Sequence, residues 1–214
     1  MMNYIYTLLP SMLEGLTTTL QVFTFTLIFS MPLGICIALC RLSKVKLVRD
    51  IAQFYIWIMR GTPLLLQLVF VFFGLPIAGI SFDRFTAALI AFVLNYGAYF
   101  GEIFRCGIEA VDAGQYEAAE VLGLTPGKTF KRIILPQMIK MVLPPVANEV
   151  ITLVKDTSLV YVVGLGELLR AGKIASNRDA SLAPLVVVAI FYLLLTAVLT
   201  KIFKSFEESY GYYR

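Results

Sequence analysis

A chain of 214 residues that is 59% hydrophobic and only 15% charged does not fit a soluble globular domain, which carries about 45–50% apolar and about 25% charged residues. Too few charges to cover a water-facing surface make this an integral membrane protein, with lipid over much of its length. The 18 Lys+Arg and 14 Asp+Glu leave no face for a basic stripe, which excludes nucleic acid as a partner, and the lack of any histidine removes the commonest general base and metal ligand.

Taken in chain order, residues 15–40 carry no charge and predict a first membrane span over 14–40. No basic residue precedes Arg41, so the stretch lacks the positive flank of a cleavable signal and is expected to remain as a helix. Ser11 and Glu14 have the spacing of a capping box at its start. Cys36 and Cys40, one turn apart in the span, and Cys106 make an odd count that is no disulfide framework; they read as buried thiols. Uncharged residues 61–82 predict a second span over 54–80, and 85–101 a third over 85–104. Residues 105–136 form the one substantial polar loop. A fourth span over 136–155 is expected to be interrupted, because Pro144 and Pro145 each remove a backbone donor and crowd the preceding turn. A short helix near 163–176 follows, and uncharged residues 180–200 predict a last span over 181–203. The fold class is therefore all-α, with five transmembrane helices in a single transmembrane domain over 1–214 and no internal repeat.

Five spans put the termini on opposite sides, and basic residues choose the orientation. With the N-terminus outside, Arg41, Lys44, Lys46, Arg49, Arg105, Lys128, Lys131, Arg132, Lys140, Lys201, Lys204 and Arg214 are cytoplasmic, twelve in all. The outside keeps Arg84, Arg170, Lys173, Arg178 and at most Lys155, with Arg60 unassigned near a membrane face. The C-terminus is thus expected in the cytoplasm.

The loop over 105–136 is not built as a solvated connector. Residues 115–122 are good helix formers that stop at Gly123, which can take the left-handed conformation that ends a helix. Thr125 and Pro126 suit the N-cap and first position of a second helix leading back to the membrane. Glu117-Ala118-Ala119, then Gly123, then Ile133 and Leu135-Pro136 resemble the EAA loop of importer-type ABC transporter permeases at its defining positions. Arg60-Gly61-Thr62-Pro63-Leu64, Leu135-Pro136-Gln137 and Lys155-Asp156-Thr157-Ser158-Leu159 resemble the polar amino acid uptake branch of that family. The resemblance implies a bacterial plasma-membrane, multi-pass permease. In it Glu117, Ala118, Ala119 and Gly123 form a coupling helix that docks into a separate ATP-binding cassette ATPase. It further implies a second permease copy or paralogue, and an extracytoplasmic amino acid binding protein.

Gly123, Gly127, Lys128 and Thr129 mimic a phosphate-binding loop, but the spacing is one residue short and Pro126 removes an amide from the cradle. No ATP site is expected in this chain; ATP and Mg belong to the partner ATPase, and no catalytic or metal-ligating residue stands out.

Charges at membrane depth cost about 2.5–3.5 kcal/mol on insertion scales, so they pair or face a polar cavity. Glu149 and Asp156 are two helical turns apart on one face and suit the ammonium of an amino acid, or form interhelical pairs. Asn95, Tyr99 and Glu102 share another face, beside Gly97 and Gly101, a pair spaced for close helix contact. Asn95, Arg60, Thr62 and Gln67 complete the pathway candidates. The function expected is the permease subunit of an ATP-driven amino acid importer, not an enzyme. The alternative is an ion-coupled secondary amino acid transporter, with Glu149, Asp156 or Glu102 holding the ion; it leaves the organised loop without a role.

Overall fold

The computed structural model describes residues 2–209, so Arg214 lies outside the described residues. Every regular element among them is helical. The first, α1 (Met2–Arg41), starts well before residue 14 and runs through Pro10 and Pro32. Ser11 is inside it, where its hydroxyl donates to the Leu8 carbonyl at 2.9 Å. The expected capping box is therefore absent: a helix already running offers no free amide to cap at Ser11.

The second span departs most from expectation. Helix α2 (Lys46–Gly61) ends at Thr62 and Pro63, both extended. The chain then turns by 102° into α3 (Leu64–Val69), prolonged by a π turn (Phe70–Gly74) and a 3-10 turn (Leu75–Ala78). Proline disfavours helical backbone in the residue before it, which fixes the break at Thr62. The uncharged run gave no sign of it, because hydropathy is blind to backbone geometry.

After Gly79, in the left-handed region at φ +83, Asp83 caps α4 (Arg84–Glu109) by accepting from the Phe85 and Thr86 amides. Its hydrogen bonds, first of all with Thr86, hold the Asp83 carboxyl below the usual carboxylate range. Helix α4 is the hub of the core: Phe92, Tyr96 and Phe100 are fully buried against residues of α3 and of α7. Past α4 come α5 (Ala113–Val121), α6 (Pro126–Thr129) and a π turn (Phe130–Ile134) that passes without a break into α7 (Leu135–Asp156). Thr125 occupies the N-cap position of α6 and Pro126 the first turn, as the sequence suggests, yet the Thr125 hydroxyl caps nothing. Helix α7 continues through Pro144 and Pro145, so the expected interruption does not occur. The turn they weaken lines a cavity at Met141 and Pro145, where lost helix bonds cost least, while Val142 and Val146 beside it are buried in the core.

A 3-10 turn (Thr157–Val163) leads to α8 (Leu168–Arg178) and then α9 (Ala183–Ser209). Buried Glu167 accepts from the Leu169 and Arg170 amides at 2.6 Å and from the Tyr192 hydroxyl at 3.2 Å, tying α8 to α9. Thr19 on α1 accepts from the Leu168 amide at 3.2 Å, tying α8 to α1.

Tyr6–Arg41, Arg84–Glu109 and Ala183–Ser209 are each long and apolar enough to cross a membrane, and α2 with the stretch to Ala78 qualifies as one bent pair. Helix α7, at 22 residues, is long enough but carries Lys140, Glu149, Lys155 and Asp156. The bundle has two ends, one holding α5 and the other α8. Cys36 and Cys106 are exposed and Cys40 is half-buried, all three free. The buried reading fails for Cys36 because an apolar span can turn a thiol to lipid as well as pack it inward, and for Cys106 because it lines a cavity.

Helices α1 and α4 approach closely through glycine. A Cβ on Gly34 would lie 2.7 Å from the Phe100 Cβ and 3.0 Å from the Gly101 nitrogen, and one on Gly97 or Gly101 would lie 2.7 Å from Leu33 or Ile37. The close contact expected from Gly97 and Gly101 is present. Since the obstacle at Gly34 includes backbone, Gly34→Ala is expected to cost about 1–3 kcal/mol and to lower the melting temperature of the detergent-purified protein by several degrees. Gly127→Ala, with nothing within 4 Å, is the control and leaves it unchanged.

Candidate functional site: a charged cavity at the helix break

The break at Thr62–Pro63 opens a cavity of about 570 Å³. Three stretches distant in sequence supply its polar wall: Arg60 and Thr62 from the break, Asn95, Tyr96 and Tyr99 from α4, Glu149 and Asp156 from α7. Five of the six pathway candidates meet here. The sixth, Gln67, is not on this wall but braces it from α3. Its amide nitrogen donates to the Met59 carbonyl at 2.9 Å and to the Thr62 hydroxyl at 2.8 Å, and its carbonyl oxygen accepts from the Asn95 amide at 3.1 Å. Asn95 also donates to the Met59 carbonyl at 2.9 Å, and Thr62 donates to the Ile58 carbonyl at 2.8 Å. The carbonyls that α2 leaves unpaired at its end are thus met by side chains of Thr62 itself, of α3 and of α4. Each such bond contributes about 0.5–1.5 kcal/mol net, which makes the break a rigid feature.

Glu149 and Asp156, two turns apart on α7, both face the cavity. Asp156 accepts from the Tyr96 hydroxyl at 2.8 Å, while among the described residues nothing donates to Glu149 within hydrogen-bond distance. The interhelical pairing expected as the alternative is thus met for Asp156, through Tyr96 of α4, and not for Glu149, and neither carboxyl is in a salt bridge among the described residues. The Arg60 guanidinium lies over the Tyr99 ring, 5.1 Å from its centroid. Two carboxyls against one guanidinium give the wall an excess of acceptors, suited to a ligand with a carboxylate and at least one ammonium or guanidinium group. Glu102 is held apart: its two oxygens accept from Arg105 at 3.0 and 2.5 Å, and Arg105 also pairs with Glu109.

Tyr96 was missed in the sequence. A carboxyl in an apolar helix needs a donor, and the hydroxyl of a tyrosine inside the uncharged run 85–101 was the available signal.

At the other end of the bundle, α5 stops in the pattern expected at Gly123. The Gly123 amide donates to the Glu120 carbonyl at 2.9 Å and the Leu124 amide to the Ala119 carbonyl at 3.0 Å, with Gly123 at φ +70. The exposed face differs from the expected one. Ala119 is buried, whereas Glu117, Ala118 and Glu120 are exposed and Val121 and Leu122 are 88% and 76% exposed. Asp112 caps α5 by accepting from the Gly114 amide, and Gln115 meets Gln137 of α7 at 3.3 Å. The helix is therefore tied to α7 at its base and bare at its tip.

Residues 30–211 match the family described as binding-protein-dependent transport system inner membrane component. The arginine transport system permease protein ArtQ of Bacillus subtilis is 43% identical over 94% of this chain and 92% of its own length. The L-cystine transport system permease protein TcyB of the same species is 38% identical over 89% of this chain and 82% of its own. Among solved structures, that of an amino acid ABC transporter with histidines superposes with a TM-score of 0.90 at 35% identity, covering 96% of this chain and 97% of the other. The MetNI methionine ABC transporter shares the fold, with a TM-score of 0.74 at 18% identity.

Proposed function

The chain belongs to the binding-protein-dependent transport system inner membrane components and is the multi-pass permease subunit of an amino acid ABC importer, and from that premise we propose how it works. The alternative of an ion-coupled transporter is not favoured by this membership. The permease is one domain over 1–214 that crosses the membrane five times, with the N-terminus outside and the C-terminus in the cytoplasm. Support comes from the course of the helices: α1 begins and α9 begins beside α8, and both finish at the end that carries α5. The basic residues of 41–49 lie at the junction of α1 and α2, and those of 128–140 follow α5 into the start of α7.

The cavity at the break receives the amino acid from an extracytoplasmic binding protein. Arg60 pairs with the carboxylate, Glu149 and Asp156 take the ammonium and any cationic side chain, and Thr62 and Asn95 shape the wall. The convergence of Arg60, Thr62, Asn95, Glu149 and Asp156 on one cavity carries this reading. The excess of carboxyls favours a cationic amino acid, in keeping with the named substrate of the ArtQ relative. Glu117, Ala118 and Gly123 with the exposed Val121 and Leu122 form the coupling surface for a separate ATPase, and Ala119 anchors that helix to its own chain. Two ATPase subunits close as a pair, so two permease chains, identical or related, flank the path. This chain itself binds no cofactor; ATP and Mg are held by the ATPase.

Proteoliposomes holding the permease with its ATPase and binding protein test this directly. Labelled arginine, glutamine and cystine are offered in turn. The expected result is uptake that needs both ATP and the binding protein and favours arginine. Uptake that persists without ATP and collapses with an ionophore would contradict it.

A further inference from the structure

A second cavity of about 420 Å³ adjoins the first on the side toward α5. The two share three wall residues, Arg60, Tyr99 and Glu149, and are otherwise distinct: Asp156, Thr62 and Asn95 line only the first, and Glu102, Cys106 and Asn148 only the second. We infer that the second cavity is a separate station for the transported amino acid, occupied between the first cavity and release into the cytoplasm. This rests on the transport reading above.

Its volume is within the roughly 300–1,000 Å³ of small-ligand sites, and it repeats the recognition chemistry of the first. Arg60 is exposed and its guanidinium lies on Tyr99 between the two spaces, so a substrate carboxylate can reach it from either side. Glu149, without a hydrogen-bond donor among the described residues, likewise fronts both. What the second cavity adds is its own polar pair. Asn148 is exposed to it, and Glu102, although its oxygens accept from Arg105 and one of them from the Cys106 thiol at 3.8 Å, keeps lone pairs that these donors do not use. Ile103, Met141, Val142 and Pro145 supply an apolar wall for the substrate's stem. An amino acid leaving the first cavity therefore exchanges Asp156 for Glu102 while Arg60 and Glu149 stay in contact, so neither end of the zwitterion is bare during the step.

Cys106 reports on this station, since its thiol is exposed and lines only the second cavity. In the complete transporter carrying Cys36→Ser and Cys40→Ser, a membrane-impermeant cationic methanethiosulfonate is applied from the cytoplasmic side of vesicles. The Cys106 thiolate attacks the reagent sulfur, forming a mixed disulfide and releasing methanesulfinate. Modification is expected to stop arginine uptake. Arginine on the same side, at about ten times its half-saturating concentration, leaves roughly one-eleventh of stations free and slows modification about tenfold. Because Glu102 meets the Cys106 thiol, protection is read in each variant as the ratio of modification rates without and with arginine, and that ratio is expected to survive Asp156→Asn and to fall to one in Glu102→Gln. Equal modification rates with and without arginine, or protection that follows Asp156 rather than Glu102, would overturn the second station. If Asp156→Asn lowers uptake while arginine never protects Cys106, only the second station falls; if Asp156→Asn leaves uptake intact, the reading of the first cavity as the substrate site falls.

Discussion

Replacing Asp156 by asparagine is expected to lower arginine uptake in proteoliposomes about ten- to hundredfold while binding-protein-stimulated ATP hydrolysis continues. The size follows from a charge-assisted hydrogen bond, about 1.5–3 kcal/mol, removed from a site where Asp156 faces the cavity and is already oriented by Tyr96 at 2.8 Å. Asparagine keeps the shape and can still accept from the Tyr96 hydroxyl, so the fold is preserved and the loss reports charge. Glu149→Gln acts in the same direction, and because both carboxyls front one cavity the double variant is expected to be non-additive. Uptake within twofold of the unmodified protein in the double variant would remove the carboxyls from the site. The paired readout separates substrate recognition from damage to coupling, which would lower uptake and ATP hydrolysis together.

Leu122→Asp is the second large effect: binding of the ATPase subunit weakens by about thirtyfold or more and coupled uptake is lost. Leu122 is 76% exposed and Val121 88%, at the tip of a helix whose inner side is fixed by buried Ala119. Large apolar side chains bare on a soluble-facing tip mark a docking contact, and loss of a central one typically costs 2 kcal/mol or more. Gly123→Ala is expected to be milder, because nothing lies within 4 Å and the cost is the left-handed φ of +70 alone, about 1–2 kcal/mol. Gly123→Asn, which tolerates that conformation, is expected to retain most uptake. Copurification of the ATPase with each variant checks the series. Full retention by Leu122→Asp would show that the tip is not the docking surface.

Which parts of this were legible in the sequence follows from what each signal encodes. Uncharged runs located α1, α4 and α9 because lipid selects directly on composition. The same signal passed over the 102° turn at Thr62–Pro63, which is a matter of backbone sterics and of the Asn95 and Gln67 amides that satisfy the broken end. Proline chemistry errs the other way at Pro144 and Pro145, where loss of two donors predicts a break but a cavity-lining turn accommodates it. Seven-residue spacing placed Glu149 and Asp156 on one face, since helical periodicity is local. That Arg60 joins them could not be read from spacing, because it arrives from a different helix. Ala118 and Ala119 are adjacent and alike in sequence, yet one is bare and the other buried, a distinction set by how α5 lies on its own chain.

The central claim is that the cavity at the helix break holds the amino acid. Equilibrium binding of labelled arginine to the purified permease–ATPase complex, without binding protein, tests it most directly. Measured in a Glu102→Gln background, which removes binding at the second station, the expected result is saturable binding that is lost on adding Asp156→Asn and kept on adding Lys155→Gln, whose exposed side chain is not on the cavity wall. Saturable binding of equal affinity in Asp156→Asn would contradict it.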